Sequence, residues 1–138
     1  MSVRSASNVV CCRLMVPTVV EGSSWIDRER PVRLYYLDED RKHKTIRLTY
    51  KLGSNEYWGV QQMNWPDAPV LESRSLHRVI NGRGYDFYYR GRKLHMIVLR
   101  QGDASYWVVN TLLDSLSNET MIAIAKGLQP LDPPRKTK

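Results

Sequence analysis

The second half of the chain alternates apolar and polar residues in short runs that are separated by glycine-bearing turns. The runs cover residues 76–80, 85–90, 94–100 and 105–112, and each has the length and the period of two that are typical of a β-strand. Asn81-Gly82 suits a tight hairpin turn, because such a turn needs positive φ angles. The pattern therefore predicts an antiparallel meander of four strands.

After the fourth run the apolar period becomes helical. Apolar residues at i, i+3, i+4 and i+7 define one helical face: Met121, Ile124, Ala125 and Leu128. Ser117 is the predicted N-cap, and Leu116 and Met121 have the spacing of a hydrophobic staple. Pro130 forbids continuation of the helix. Because so short a helix is marginal alone, we expect it to pack against the apolar face of the strands.

The first half predicts strands over residues 32–37, 45–52 and 57–63, followed by a proline-containing loop at 65–69. Residues 1–24 form a poorly defined N-terminal segment, residues 25–131 a single domain, and residues 132–138 a flexible basic tail. The predicted fold class is α+β, with a curved antiparallel meander that is covered by a C-terminal amphipathic helix.

Composition agrees with one globular domain whose core needs no disulfide bond or metal ion to stabilise it. The chain has 138 residues, of which 42% are hydrophobic and 25% are charged, and this length supports a real core. No apolar run approaches the ~20 residues of a membrane span, and residues 1–10 are too weakly apolar for a secretory signal. The only cysteines, Cys11 and Cys12, are adjacent, so neither a disulfide framework nor a zinc site is predicted. We expect no cofactor.

Positive charge is concentrated between residues 74 and 100. The chain carries a net charge of +7, and this stretch has seven basic residues and one acid, Asp86. Such a field attracts polyanions, although lysine and arginine on outer strands also serve to prevent aggregation. The candidate binding cations are Arg74, Arg78, Arg83, Arg90, Arg92 and Lys93. Residues 28–51 have eight bases and four acids, and we interpret them as a mixed, solvated region.

Catalytic motifs are missing from the sequence. There is no nucleophile elbow, phosphate-binding loop or metalloprotease motif, and the three histidines are scattered, so we predict no enzyme. Asp86 stands among cations, which indicates a structural ion pair. Trp58 and Trp65 are candidate platforms for a sugar ring, with packing inside the sheet as the alternative for each.

Several motifs resemble one family. The run YWVVNTLLDSLSNETMIAIA at 106–125, with EYWGVQ at 56–61 and the loop at 65–69, resembles the C-terminal accessory region of actinobacterial LytR–CpsA–Psr proteins. The resemblance runs from about residue 30 to residue 131. Members of that family are membrane-anchored, face outward and transfer wall glycopolymers. Their catalytic domain, with its arginine and aspartate cluster, has no counterpart here, so the resemblance implies a setting and no catalytic residue.

Charge and resemblance together predict a non-catalytic accessory or binding module of the bacterial cell envelope. The expected partner is an anionic wall glycopolymer, a phospholipid surface or a partner catalytic domain. The alternative is a nucleic-acid-binding domain that uses the basic hairpin. We expect an extracytoplasmic location if the chain is part of a larger anchored protein, and a cytoplasmic one if it is complete.

Overall fold

A computed structural model of the chain describes residues 14–36, 39–40, 42–53 and 55–130. The strands are β1 (Met15–Pro17), β2 (Ser24–Ile26), β3 (Val32–Tyr36), β4 (Lys44–Leu52), β5 (Glu56–Met63), β6 (Leu76–Ile80), β7 (Arg83–Arg90), β8 (Lys93–Gln101), β9 (Ala104–Val109) and β10 (Leu128–Pro130). The described residues contain one α-helix, α1 (Asn118–Lys126), and a 3-10 turn at Pro69–Leu71.

Eight strands form one antiparallel sheet in the order β2-β4-β5-β9-β8-β7-β6, and β3 also pairs with β4. The predicted meander is β6 to β9, and its last strand returns to lie beside β5. Asn81 and Gly82 both have positive φ in the β6–β7 turn, as their sequence indicated. The α+β prediction is confirmed.

Two short strands share one edge of β4. β2 pairs with residues 50–52 of β4, and β3 pairs with residues 44–48. Between these two pairings, the Thr49 carbonyl accepts from the Asp27 amide at 2.9 Å, and the Thr49 amide donates to the Pro31 carbonyl at 3.0 Å. Residues 28–30 consequently loop out from the edge, which brings Arg30 beside β3 and β4.

The helix packs on one face of the sheet and closes the main core. Met121 and Ile124 are fully buried there, together with Trp58 and Val108 from the central strands. The Ser117 hydroxyl accepts from the Thr120 amide at 3.1 Å, so the predicted N-cap is confirmed. Burial of Leu116 beside Met121 likewise agrees with the predicted staple.

The opposite face carries a second, smaller core beneath the loop of residues 64–75. Met63, Leu71 and Trp107 are buried in it. The Tyr88 hydroxyl donates to the Leu71 carbonyl at 2.6 Å and fixes the loop to β7. Both faces of this part of the sheet are therefore covered.

Asp86 clamps that loop to the sheet. Its carboxylate, only 1% exposed, contacts the guanidinium groups of Arg74 at 3.1 Å and Arg100, and His77 Nδ1 at 2.6 Å. Arg100 Nε also donates to the Pro66 carbonyl at 2.7 Å. The structural ion pair predicted for Asp86 is thus present, with three partners from separate segments.

The first described residues, which precede the predicted domain start at residue 25, pack against the rest of the fold. Leu14 and Met15 are buried in the main core, and the Met15 amide donates to Gln62 Oε1 at 2.9 Å. β1 pairs with β10, a strand that the proline-rich sequence did not predict. Cys11, Cys12 and the tail at 132–138 lie outside the described residues.

Candidate functional site

Two arginines face each other across the pairing of β3 with β4. Arg33 and Arg47 are direct cross-strand partners, so their side chains leave the sheet on the same face. Ile46 and Leu48 flank Arg47 and are buried in the helix-side core, so Arg47 emerges on the face away from α1. Like charges directly opposite each other on paired strands repel and destabilise the pairing.

Gly59 makes room for the Arg47 side chain. A Cβ atom at this position would lie 2.8 Å from Arg47 Nε and 2.7 Å from the Leu48 carbonyl oxygen. Both distances are shorter than van der Waals contact. The absence of a side chain in β5 therefore lets the Arg47 stem lie down against the sheet.

We expect Gly59→Ala to lower the free energy of unfolding by about 2 kcal/mol, because backbone and guanidinium must both move. Urea unfolding measures this change. Gly22→Ala is the matched control, since a Cβ there meets nothing within 4 Å. A loss no larger for Gly59→Ala than for Gly22→Ala would contradict the close approach.

Burial lowers the pKa of Arg47, the neighbouring Tyr35 opposes this, and Arg33 lowers it further. The guanidinium nevertheless keeps its charge at neutral pH. Burial raises the pKa of Tyr35, so this neighbour is a neutral phenol; its hydroxyl donates to Gln61 Oε1. Arg47 is thus partly desolvated without a negative charge from Tyr35 to compensate it.

Buried polar atoms without hydrogen-bond partners lie beside Arg47. Arg33 Nε and Thr49 Oγ1 are buried and have no hydrogen-bond partner among the described residues. The nearest described carboxylate is that of Asp27, at 3.8 Å from Arg33 Nη2, which is a loose ion pair. Buried donors without acceptors are costly, so their presence marks a position where an acceptor would stabilise the protein.

These side chains line a cavity of about 390 Å³, which we call the arginine groove: Arg30, Arg33, Tyr35, Arg47, Thr49 and Tyr57, with Leu34 at its edge. A second cavity of about 800 Å³ adjoins it and shares Arg47 and Tyr57. Its other walls include His95 and Val109. The groove therefore continues along the sheet on the far side of Arg47.

Trp58, one of the two candidate sugar platforms, has no exposed face. Its ring is 0% exposed and stacks on Tyr50 at 4.4 Å inside the main core. Trp65, in the loop at 64–75, is half-buried and stacks on His43 at 4.0 Å. Neither tryptophan lines the arginine groove. The exposed aromatic side chain in the groove is Tyr57, which is 39% exposed.

The six cations predicted from the basic stretch are spread along β6 and the residues before it, β7 and the β7–β8 turn, and some of them bind protein groups. Arg74 binds Asp86, and Arg90 Nε lies 3.6 Å from Asp114 Oδ2, so two of the charges serve buried carboxylates. Arg83 donates to the Leu128 carbonyl at 2.9 Å. Arg83 and Arg90 stand at opposite ends of β7, about 23 Å apart.

All six of those cations except Arg83 are exposed. Arg74 and Arg90 pair with carboxylates, whereas Arg78, Arg92 and Lys93 form no ion pair among the described residues. Arg78 lies on β6, whereas Arg92 and Lys93 lie at the β7–β8 turn. The residues that the structure does bring together, Arg30, Arg33 and Arg47, come from the region interpreted as mixed and solvated.

The described residues include no group of three or more metal-ligating side chains, and none of their helices has the length and hydropathy to cross a bilayer. Comparison of the chain with protein-family models, curated proteins and solved structures finds no match.

Proposed function

We propose that this domain is a non-catalytic binding module of the bacterial cell envelope, and that its arginine groove holds phosphate or carboxylate groups of an anionic wall glycopolymer. The observation that carries the proposal is the direct opposition of Arg33 and Arg47 across two paired strands. The envelope setting rests on the resemblance of residues 30–131 to the accessory region of LytR–CpsA–Psr proteins.

An oxyanion is the ligand class that fits this arrangement. Two like charges directly opposite each other destabilise a sheet. An anion bound between them replaces that repulsion with two attractive contacts. Guanidinium groups bind phosphate and carboxylate through paired N–H donors, and such bonds are stronger where water is partly excluded. Arg47 has the required desolvation, and Arg30 adds a third cation at the rim.

Two features favour a polymer over an isolated small anion. The cavity that continues past Arg47 gives room for units on either side of the bound group. Tyr57 lines both cavities and presents part of its ring, which suits contact with the apolar face of a sugar. The groove thus combines a charge anchor with a flat contact surface.

The test compares two variants with equal charge loss. Arg33→Gln with Arg47→Gln removes the opposed pair, and Arg78→Gln with Arg92→Gln removes two exposed arginines elsewhere. Affinity for purified anionic wall glycopolymer is measured at low and raised salt. We expect the first variant to lose at least about tenfold in affinity, and the second to change it less than about threefold.

Other outcomes assign the binding elsewhere. If the Arg78 and Arg92 variant loses more affinity, the basic hairpin is the contact and the groove is not. If wild-type protein binds single- or double-stranded nucleic acid more tightly than the polymer, the nucleic-acid alternative holds. Urea unfolding serves as the folding control, and removal of the opposed pair should leave stability equal or higher.

A further inference from the structure

Two adjacent leucines stand almost fully in solvent. Leu112 is 86% exposed and Leu113 is 82% exposed, both in the loop that joins β9 to α1. Singly exposed apolar residues are common, but neighbouring large ones at the tip of one loop indicate a contact surface. They also form the outer lip of the larger cavity.

The loop is held rigidly by buried polar groups. Asn110 Nδ2 donates to the carbonyls of Leu94 and Leu116, and Asn110 Oδ1 accepts from the amides of Thr111 and Leu116, all between 2.8 and 3.0 Å. Asp114 adopts a positive φ of 54°, and its amide donates to the Thr111 carbonyl at 2.9 Å. The leucines are therefore fixed in an exposed position.

Basic residues are fastened to the same loop. Arg90 Nη1 donates to the Leu112 carbonyl at 3.0 Å, and Asn118 Nδ2 donates to the Arg92 carbonyl at 3.0 Å. The β7–β8 turn is therefore hydrogen-bonded both to the loop that carries the leucines and to the first residue of α1. Arg92 and Lys93 are exposed in that turn.

The β4–β5 turn brings a further cation and an aromatic ring to this end of the sheet. Ser115 of the loop donates to Glu56, the first residue of β5. Next to Glu56, the Tyr57 ring has Lys51 Nζ at 6.0 Å from its centroid. Tyrosine at the rim of an apolar tip is typical of surfaces that meet the headgroup region of a bilayer.

We infer that this tip docks onto an anionic phospholipid surface, with Leu112 and Leu113 entering the acyl boundary and Arg92 and Lys93 binding lipid phosphates. Charge complementarity favours this occupant, because cations next to the surface attract anionic lipids while the apolar pair adds a short insertion. Two leucines are far less than the roughly 800 Å² per partner of a stable protein interface. The tip adjoins the larger cavity, but Arg92 and Lys93 do not line the arginine groove, so the lipid contact does not depend on polymer binding in that groove.

The experiment measures sedimentation of the full chain with vesicles that contain phosphatidylglycerol, and with vesicles of phosphatidylcholine alone. Leu112→Ser with Leu113→Ser should weaken binding to the anionic vesicles at least about tenfold. Val70→Ser with Val79→Ser is the matched control, because these valines are 60% and 68% exposed elsewhere, and it should bind as wild type does. Arg92→Gln with Lys93→Gln should lower binding to the anionic vesicles only.

A fluorescence readout locates the contact. Leu113→Trp should shift its emission to the blue on addition of anionic vesicles and should be quenched by brominated acyl chains. The substitution is made in a Trp25→Phe background, because Trp25 is exposed and pairs with Lys51 at this end of the sheet. The Trp25→Phe protein alone is the control and should show neither change.

Three results would overturn the inference. They are absence of wild-type binding to the anionic vesicles, equal loss in the valine control, and a dimer without lipid that the leucine variant dissociates. Arg33→Gln with Arg47→Gln should retain vesicle binding, so failure of the groove and failure of the lipid contact give different results.

Discussion

Asp86→Asn should lower the free energy of unfolding by about 3 kcal/mol, the largest loss expected from removal of one charge in this protein. The substitution keeps the size of the side chain but leaves Arg74, His77 and Arg100 without their shared carboxylate. Those three side chains are between 32% and 52% exposed, so water compensates part of the loss. Urea unfolding of both proteins measures the difference.

The substitution should also loosen the loop at 64–75, which covers the second core. Asp86 links β7 to β6, β8 and the end of the loop at 64–75, and Arg100 extends this link to the Pro66 carbonyl. We expect faster hydrogen exchange in that loop than in α1. Asp103→Asn is the matched control, because Asp103 is exposed in the β8–β9 turn. A similar loss in both variants would show that net charge, and not the clamp, is responsible.

Most strands could be predicted because each is short, alternates, and ends at a turn with its own chemistry. The helix could be predicted because its cap, its staple and its apolar spacing agree with one another. Strict alternation along β8 would place His95 on the face opposite Met96 and Val98, but β8 does not keep strict alternation there. A bulge beside Tyr88 and Tyr89 leaves His95 unpaired in β8, so that it lines the same cavity as Val109.

The N-terminal and C-terminal edges could not be predicted, because they depend on contacts between distant parts of the chain. Met15 pairs with Pro130, and no local pattern indicates that partner. β9 was predicted to extend to residue 112 but ends at Val109. Beyond Val109, the Asn110 side chain bonds the backbone groups of Leu94, Thr111 and Leu116. The apolar run that ends at Leu112-Leu113 gives no sign of this change.

The arginine groove was not predicted from the sequence because charge was counted along the chain. Counting made residues 74–100 the cationic region, yet Asp86 and Asp114 bind Arg74, Arg90 and Arg100 in space. The pair at Arg33 and Arg47 becomes visible only when β3 is set in register with β4. Arg47 gave no signal of its own in the sequence, because it lies on the polar face of a strand that alternates cleanly.

Aromatic pairs show the same limit. For Tyr57-Trp58 the sequence indicates that one ring faces inward, and the register decides that it is Trp58. Tyr106 and Trp107 are both buried, because that part of the sheet has the helix-side core on one face and the loop at 64–75 on the other. The residue pattern gives no sign that the loop at 64–75 covers the second face of the sheet.

Asn110→Ala should lower the free energy of unfolding by about 3 kcal/mol, because two buried amides and two buried carbonyls lose their partner at once. Urea unfolding with an unchanged slope would assign the loss to the native state. Asn55→Ala, an exposed asparagine in the β4–β5 turn, should change stability by less than about 0.5 kcal/mol.

Asn110→Asp separates the two halves of the side chain. An aspartate still accepts from the amides of Thr111 and Leu116, but its second oxygen faces the carbonyls of Leu94 and Leu116, which need donors. We expect it to be at least as destabilising as alanine, since repulsion replaces two hydrogen bonds. Wild-type stability in this variant would mean that the carbonyl side contributes nothing, and that Oδ1 alone holds the loop that carries Leu112 and Leu113.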